Sequence, residues 1–147
     1  MKDNSKLIHE LRKVVGRKHV FTDSLNKEPF SKGWRYGEGN ALAVIKPGIL
    51  IELWDVLKIC VKEDMIIIMQ AANTGLTGGS TPYGSGYDRS IIIINTMRID
   101  HIHLVNDGNQ IIGLAGSTLY DLEKKLKPIG KEPHSVIGST SIGASIV

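Results

Sequence analysis

Cysteine is nearly absent from this sequence, and Cys60 stands alone. A single thiol excludes an intrachain disulfide framework and a thiolate metal centre, and fits a reducing compartment. Charge of one sign is also lacking: the formal net charge is only +3, spread along the chain. That gives no basic stripe of the kind nucleic-acid binding needs, so no nucleic-acid partner is expected. Long hydrophobic runs are missing too. The longest fall far short of the roughly 20 residues a membrane helix requires. Met1–Ser5 leads into a polar amphipathic segment, unlike a signal peptide. The most telling absence is local: no lysine or arginine lies between Lys62 and Arg89.

That uncharged stretch contains the most unusual residues of the chain. The apolar run Met65-Ile66-Ile67-Ile68-Met69 ends abruptly in Gln70-Ala71-Ala72-Asn73-Thr74-Gly75-Leu76-Thr77-Gly78-Gly79-Ser80-Thr81-Pro82. Glycine has no Cβ, so backbone there can take positive φ and approach a ligand closely. Successive N–H groups in such a loop converge into an anion-binding nest. With no basic side chain nearby, an anion held here is held by backbone N–H groups. That suits a dinucleotide pyrophosphate better than a triphosphate tail. A mere connection between two buried strands is the plainer reading. The irregular stretch from Met69 to Ser90 is long for that, because loops beyond about 12–15 residues are usually functional or disordered.

Two familiar phosphate motifs fail. The P-loop pattern needs a lysine that Thr77-Gly78-Gly79-Ser80 does not supply. The Rossmann fingerprint needs a helix opening directly after the glycines, and Pro82-Tyr83-Gly84-Ser85-Gly86 argues against one.

The rest of the chain reads as mixed α and β. Leu7, Ile8, Leu11, Val14 and Val15 follow helical spacing, with Asp3, Asn4 or Ser5 as caps and Gly16 as the stop. Residues 17–40 look irregular. Ala41–Ile45 reads as a buried strand closed by Pro47-Gly48. A helix follows, with Leu50, Leu53, Trp54, Leu57, Cys60 and Val61 as its apolar face. With the strand at 65–69 this makes a strand–helix–strand unit. Ile91–Ile94 is a further buried strand. His101–Val105 and Gln110–Ala115 flank Asn106-Asp107-Gly108-Asn109 as a hairpin. Thr118 opens a short helix, with Asp121 as a capping-box-like partner, and Pro128 and Gly130 end it.

Few residues outside the loop suggest chemistry. His101 and His103 share a strand face and have no third ligand in sight, so an exposed face outweighs a metal site. His134 reads as a local hydrogen-bonding residue, and Cys60 as a buried structural thiol. No Ser–His or His–carboxylate arrangement stands out, so no catalytic residue is assigned. A second small-residue cluster, Ile137-Gly138-Ser139-Thr140-Ser141-Ile142-Gly143-Ala144-Ser145, either faces the loop's ligand or is a turn; the residues leave both readings open. The chain stops at apolar Ile146-Val147 with no polar tail, which reads as an element interrupted partway, with a short terminal strand as the plainer alternative.

The segment Gln70–Pro82 resembles the pyrophosphate loop of the flavoproteins related to p-cresol methylhydroxylase and vanillyl-alcohol oxidase. Within that group it is most similar to the bacterial quinone-dependent D-lactate dehydrogenases. The resemblance continues through Tyr87-Asp88-Arg89, Thr118-Leu119-Tyr120, Leu122-Glu123-Lys124, Glu132–Ser139 and Ile142–Ser145. It implies an α+β FAD-binding domain of the p-cresol methylhydroxylase type. Residues 1–40 would be an N-terminal helix and irregular lead-in. Residues 41–147 would be the N-terminal part of the domain, truncated at its C-terminal end. Ala71, Ala72, Asn73, Thr74 and Gly75, with Gly79 and Ser80, would line the pyrophosphate, and Gly138 and Ser145 would lie further along FAD. Some members attach flavin covalently through a histidine after the glycine pair. Here Ser80 holds that position, which implies noncovalent FAD. For a complete enzyme the resemblance implies D-lactate and quinone as substrates, with peripheral attachment to the cytoplasmic face of the bacterial inner membrane through regions beyond Val147. A nucleotide-binding module without activity is the alternative, as is a dehydrogenase of another 2-hydroxy acid. The 147-residue chain alone is expected to be inactive.

Overall fold

The computed structural model describes residues 4–134. Four strands form one mixed sheet: β1 (Val20–Phe21), β2 (Ala43–Ile45), β3 (Ile66–Gln70) and β4 (Ile91–Asn95), in the order β1-β2-β4-β3. β2 and β3 both run parallel to β4, and β1 closes the far side antiparallel to β2. The helix α3 (Leu50–Lys62) carries the chain from β2 over to β3, as the strand–helix–strand reading expects. β4 lies centrally and all five of its residues are buried. Burial on both faces explains its unbroken isoleucine run.

Side chains alternate across the sheet and divide the core in two. Ala43, Ile45, Ile92 and Ile94 meet Leu7, Ile8, Leu11 and Val15 of α1 (Ser5–Val15) together with Val56 and Cys60 of α3. Val44, Ile91 and Ile93 face the other way, where Phe21, Phe30, Ile66 and Ile68 pack against them. Asn4 is the N-cap of α1, and Gly16 ends it at φ +84° with its N–H bonded to the Arg12 carbonyl. Asp3 lies outside the described residues.

Two sequence expectations change. Residues 17–40 are not simply irregular. They contain β1 and the helix α2 (Ser24–Ser31), whose N-cap Asp23 accepts from the Asn26 N–H at 3.0 Å. The apolar face of α3 is also rotated from the expected one. Val56 and Cys60 are buried and Leu53, Leu57 and Ile59 pack beside them, whereas Leu50, Trp54 and Val61 are exposed.

The antiparallel portion is as expected. β5 (Ile102–Val105) pairs with β6 (Gln110–Gly113) across a turn in which Asn106, Asp107 and Gly108 all have positive φ. The helix α4 (Leu119–Leu126) packs Leu119, Leu122 and Leu126 on Ile102 in a separate small core. The Thr118 hydroxyl accepts from the Asp121 N–H and donates to the Asp121 carboxylate, so this cap uses side chain to side chain where a capping box would use a second backbone N–H. Among the described residues no helix is long and apolar enough to cross a membrane.

Candidate functional site

The glycine-rich loop leaves the sheet at the carboxyl end of β3, where open parallel sheets tend to bind ligands. A buried amide pair fixes its departure. The Gln70 side chain donates to the carbonyls of Phe30 at 2.9 Å and Ser80 at 2.8 Å. Asn95, at the end of β4, donates to the Gln70 amide oxygen at 3.2 Å and to the Ala71 carbonyl at 2.9 Å. Both side chains are almost wholly buried. Buried amides with their partners in place specify one arrangement, so the loop begins and ends at set points.

Asn73 braces the loop further out. Its backbone sits at φ +55°, a region asparagine tolerates better than most residues. Its amide nitrogen donates to the Lys32 carbonyl at 2.9 Å, and its amide oxygen accepts from the Ser80 hydroxyl at 2.8 Å. The loop is thereby pinned to the segment after α2. Gly39 and Gly84 form a further bridge between the two segments.

The glycines divide by role. Gly78 has φ +76°, and a Cβ there would lie 3.1–3.2 Å from the backbone of Tyr36 and Gly37. Gly75 has no positive φ and open space beside it, and Gly79 has only the Thr77 hydroxyl at 3.9 Å. Gly78 therefore shapes the loop, while Gly75 and Gly79 leave room for something to approach.

The site residues named from the sequence are brought together on one loop, apart from Gly138 and Ser145, which lie outside the described residues, as does the cluster 137–145. Ala72 and Asn73 line a cleft of about 570 Å³ together with Glu28, Pro29, Lys32, Gly33 and Trp34. That volume is in the ordinary range for small-molecule sites. Ala71 has its carbonyl engaged by Asn95, Thr74 and Gly75 are exposed, and Ser80 spends its hydroxyl on Asn73. Among the described residues, no backbone N–H from Ala72 to Ser80 donates to a protein acceptor. A run of free N–H groups bordered by open glycines is what a backbone-held anion requires.

Sequence reasoning missed the opposite wall. Lys32 and Trp34 reach the cleft from a segment far from the loop in sequence, so one basic residue and one acidic one, Glu28, do line it. The signal available was the glycine-rich string Lys32–Gly39, too irregular for a strand or helix.

His101, His103, His134 and Cys60 do not line this cleft. His101 and His103 are exposed, with ring centroids 5.2 Å apart, and among the described residues no three metal-ligating side chains cluster. His134 is exposed as well. Burial pushes the Cys60 thiol up to about 11, so it stays protonated at neutral pH.

No family model matches the chain. Among curated proteins it is 57% identical over 141 residues to a quinone-dependent D-lactate dehydrogenase of Haemophilus influenzae, covering 96% of this chain and 25% of that protein. It is 55% identical over 145 residues to a quinone-dependent D-lactate dehydrogenase of Escherichia coli, covering 99% of this chain and 25% of that protein. The chain thus spans about a quarter of the length of these relatives. Among solved structures, 4-ethylphenol oxidase from Gulosibacter chungangensis superposes with a TM-score of 0.78 at 17% identity, over 96% of this chain and 28% of that one. p-Cresol methylhydroxylase superposes with a TM-score of 0.66 at 18% identity, over 84% of this chain and 24% of that one. The fold is the FAD-binding fold of the p-cresol methylhydroxylase type.

Proposed function

We propose that this chain, related over nearly its whole length to quinone-dependent D-lactate dehydrogenases, holds the pyrophosphate of FAD in an oxidoreductase that converts D-lactate to pyruvate. The observation that carries the reading is the loop from Ala72 to Ser80, whose backbone N–H groups have no acceptor among the described residues and whose Gly75 and Gly79 leave open space. When bound, FAD supplies the acceptor to which D-lactate loses a hydride, with the electrons passing on to membrane quinone.

The residues of this chain bind and orient. Gln70 and Asn95 fix where the loop leaves the sheet. Asn73 ties the loop to Lys32 and Ser80. Ala71, Ala72, Asn73, Thr74, Gly75, Gly79 and Ser80 line the pyrophosphate, and Gly138 and Ser145 extend the contact along the cofactor. The flavin is held noncovalently, because Ser80 replaces the histidine that serves as an attachment point elsewhere in the superfamily. Catalytic groups, the lactate pocket and the surface that meets the cytoplasmic face of the inner membrane belong to the length of protein that the relatives have beyond this chain. Residues 1–147 alone are inactive.

The test is anaerobic mixing of the intact flavoprotein with D-lactate. Loss of the oxidised flavin absorbance, and its return on adding a quinone analogue, support the reading. Flavin that stays oxidised with D-lactate but bleaches with another D-2-hydroxy acid would replace the substrate and keep the site. A protein purified without flavin and unable to take it up would remove the site as well.

A further inference from the structure

A basic residue from outside the glycine loop borders the cleft, as does the acidic Glu28. Lys32 directly follows α2 and lines the cleft beside Ala72 and Asn73. Its carbonyl accepts from the Asn73 amide, so its backbone is tied to the loop. Its ammonium lies 3.6 Å from the Glu38 carboxylate, with both side chains largely exposed at 62% and 72%. Such an exposed pair contributes little to stability and is easily exchanged.

We propose that Lys32 is the cationic partner of the pyrophosphate, with Glu38 as the counter-ion it exchanges on binding. This rests on the FAD reading above and adds to it a side-chain charge that the loop itself lacks. A pyrophosphate diester carries two negative charges, while backbone N–H groups offer only partial positive ones. Swung from Glu38 to the bound anion, the ammonium would supply a full charge and a charge-assisted hydrogen bond, roughly twice as strong as a neutral one. Because Asn73 bonds both to the Lys32 carbonyl and to Ser80, the backbone that carries the lysine and the loop's N–H groups are held in one unit. Glu38 modulates the affinity, because it competes with the anion for the Lys32 ammonium.

The experiment uses the intact flavoprotein stripped of its cofactor. Flavin-fluorescence titrations with FAD and with riboflavin, which has the same ring and no pyrophosphate, are run at low and high salt. They compare the wild type with Lys32→Ala, Lys32→Arg and Glu38→Gln. Lys32→Ala is expected to weaken FAD about 10–100-fold, to leave riboflavin unchanged, and to flatten the salt dependence of FAD binding. Lys32→Arg should keep most of the affinity, and Glu38→Gln should bind FAD more tightly than the wild type. Unchanged FAD affinity and salt dependence in Lys32→Ala would overturn the proposal. So would an equal loss for FAD and riboflavin, which marks a structural effect. A wild type that binds neither flavin would instead overturn the cofactor reading, and Lys32's role with it.

Discussion

Ser80 donates its hydroxyl to the side-chain oxygen of Asn73 at 2.8 Å, closing the glycine loop across seven positions. The other end of the same amide reaches the Lys32 carbonyl. One asparagine therefore sets both the width of the loop and its distance from the facing wall.

Asn73→Ala should accordingly loosen the site more than its exposure suggests. It removes both bonds and puts a Cβ-bearing residue at φ +55° without the local polar compensation of asparagine. A stability loss of about 1–2 kcal/mol and faster FAD release are expected. Asn73→Gly should restore the backbone stability but not the slow release. Urea melts and stopped-flow FAD displacement separate the two.

Gly78 and Gly75 should respond in opposite ways. Gly78→Val meets a positive φ and the backbone of Tyr36 and Gly37, so it should cost about 1–3 kcal/mol of stability with or without cofactor. Gly75→Val has free space, so the apo protein should melt as the wild type does. Its loss should show only in FAD retention, because the new side chain occupies the approach. Differential scanning calorimetry of apo and holo forms checks both.

Much of the fold was legible because it depends on local patterning. The helical spacing of Leu7, Ile8 and Leu11, the isoleucine run of β4 and the Asn106–Asn109 turn each announce themselves within a few residues. The helix α2 did not, since it buries none of its residues fully and carries Pro29 inside; only its Asp23 cap was a signal. The face of α3 was misread because Leu50, Trp54 and Val61 share helical spacing with residues that do pack. The irregular course of the loop was legible from its glycine-rich composition. Its facing wall was not, because Lys32 and Asn73 meet only through tertiary structure.

Cys60 should resist modification and report on alkaline unfolding. Its folded pKa of about 11 lies above the ordinary 9.0, so the protonated thiol is the form the fold favours. That contribution to stability is fully present below pH 9.0 and is lost as pH rises toward about 11. Native protein should not react with a thiol reagent at neutral pH, and Cys60→Ala should show a shallower stability decline across that window than the wild type. Rapid native labelling would contradict the burial.

The flavin should leave with acid. In the proposed site Ser80 takes the place of an attaching histidine, so precipitation of the intact flavoprotein should release all flavin to the supernatant. Colour remaining in the pellet would show an attachment elsewhere.

The central claim is that the backbone between Ala71 and Ser80 holds the pyrophosphate of FAD. A crystal structure of the intact protein with FAD bound tests it most directly. The account predicts pyrophosphate density against the N–H groups from Ala72 to Gly75 and at Gly79, inside the cleft walled by Lys32. FAD whose pyrophosphate lies elsewhere, with those N–H groups still facing water, would contradict it.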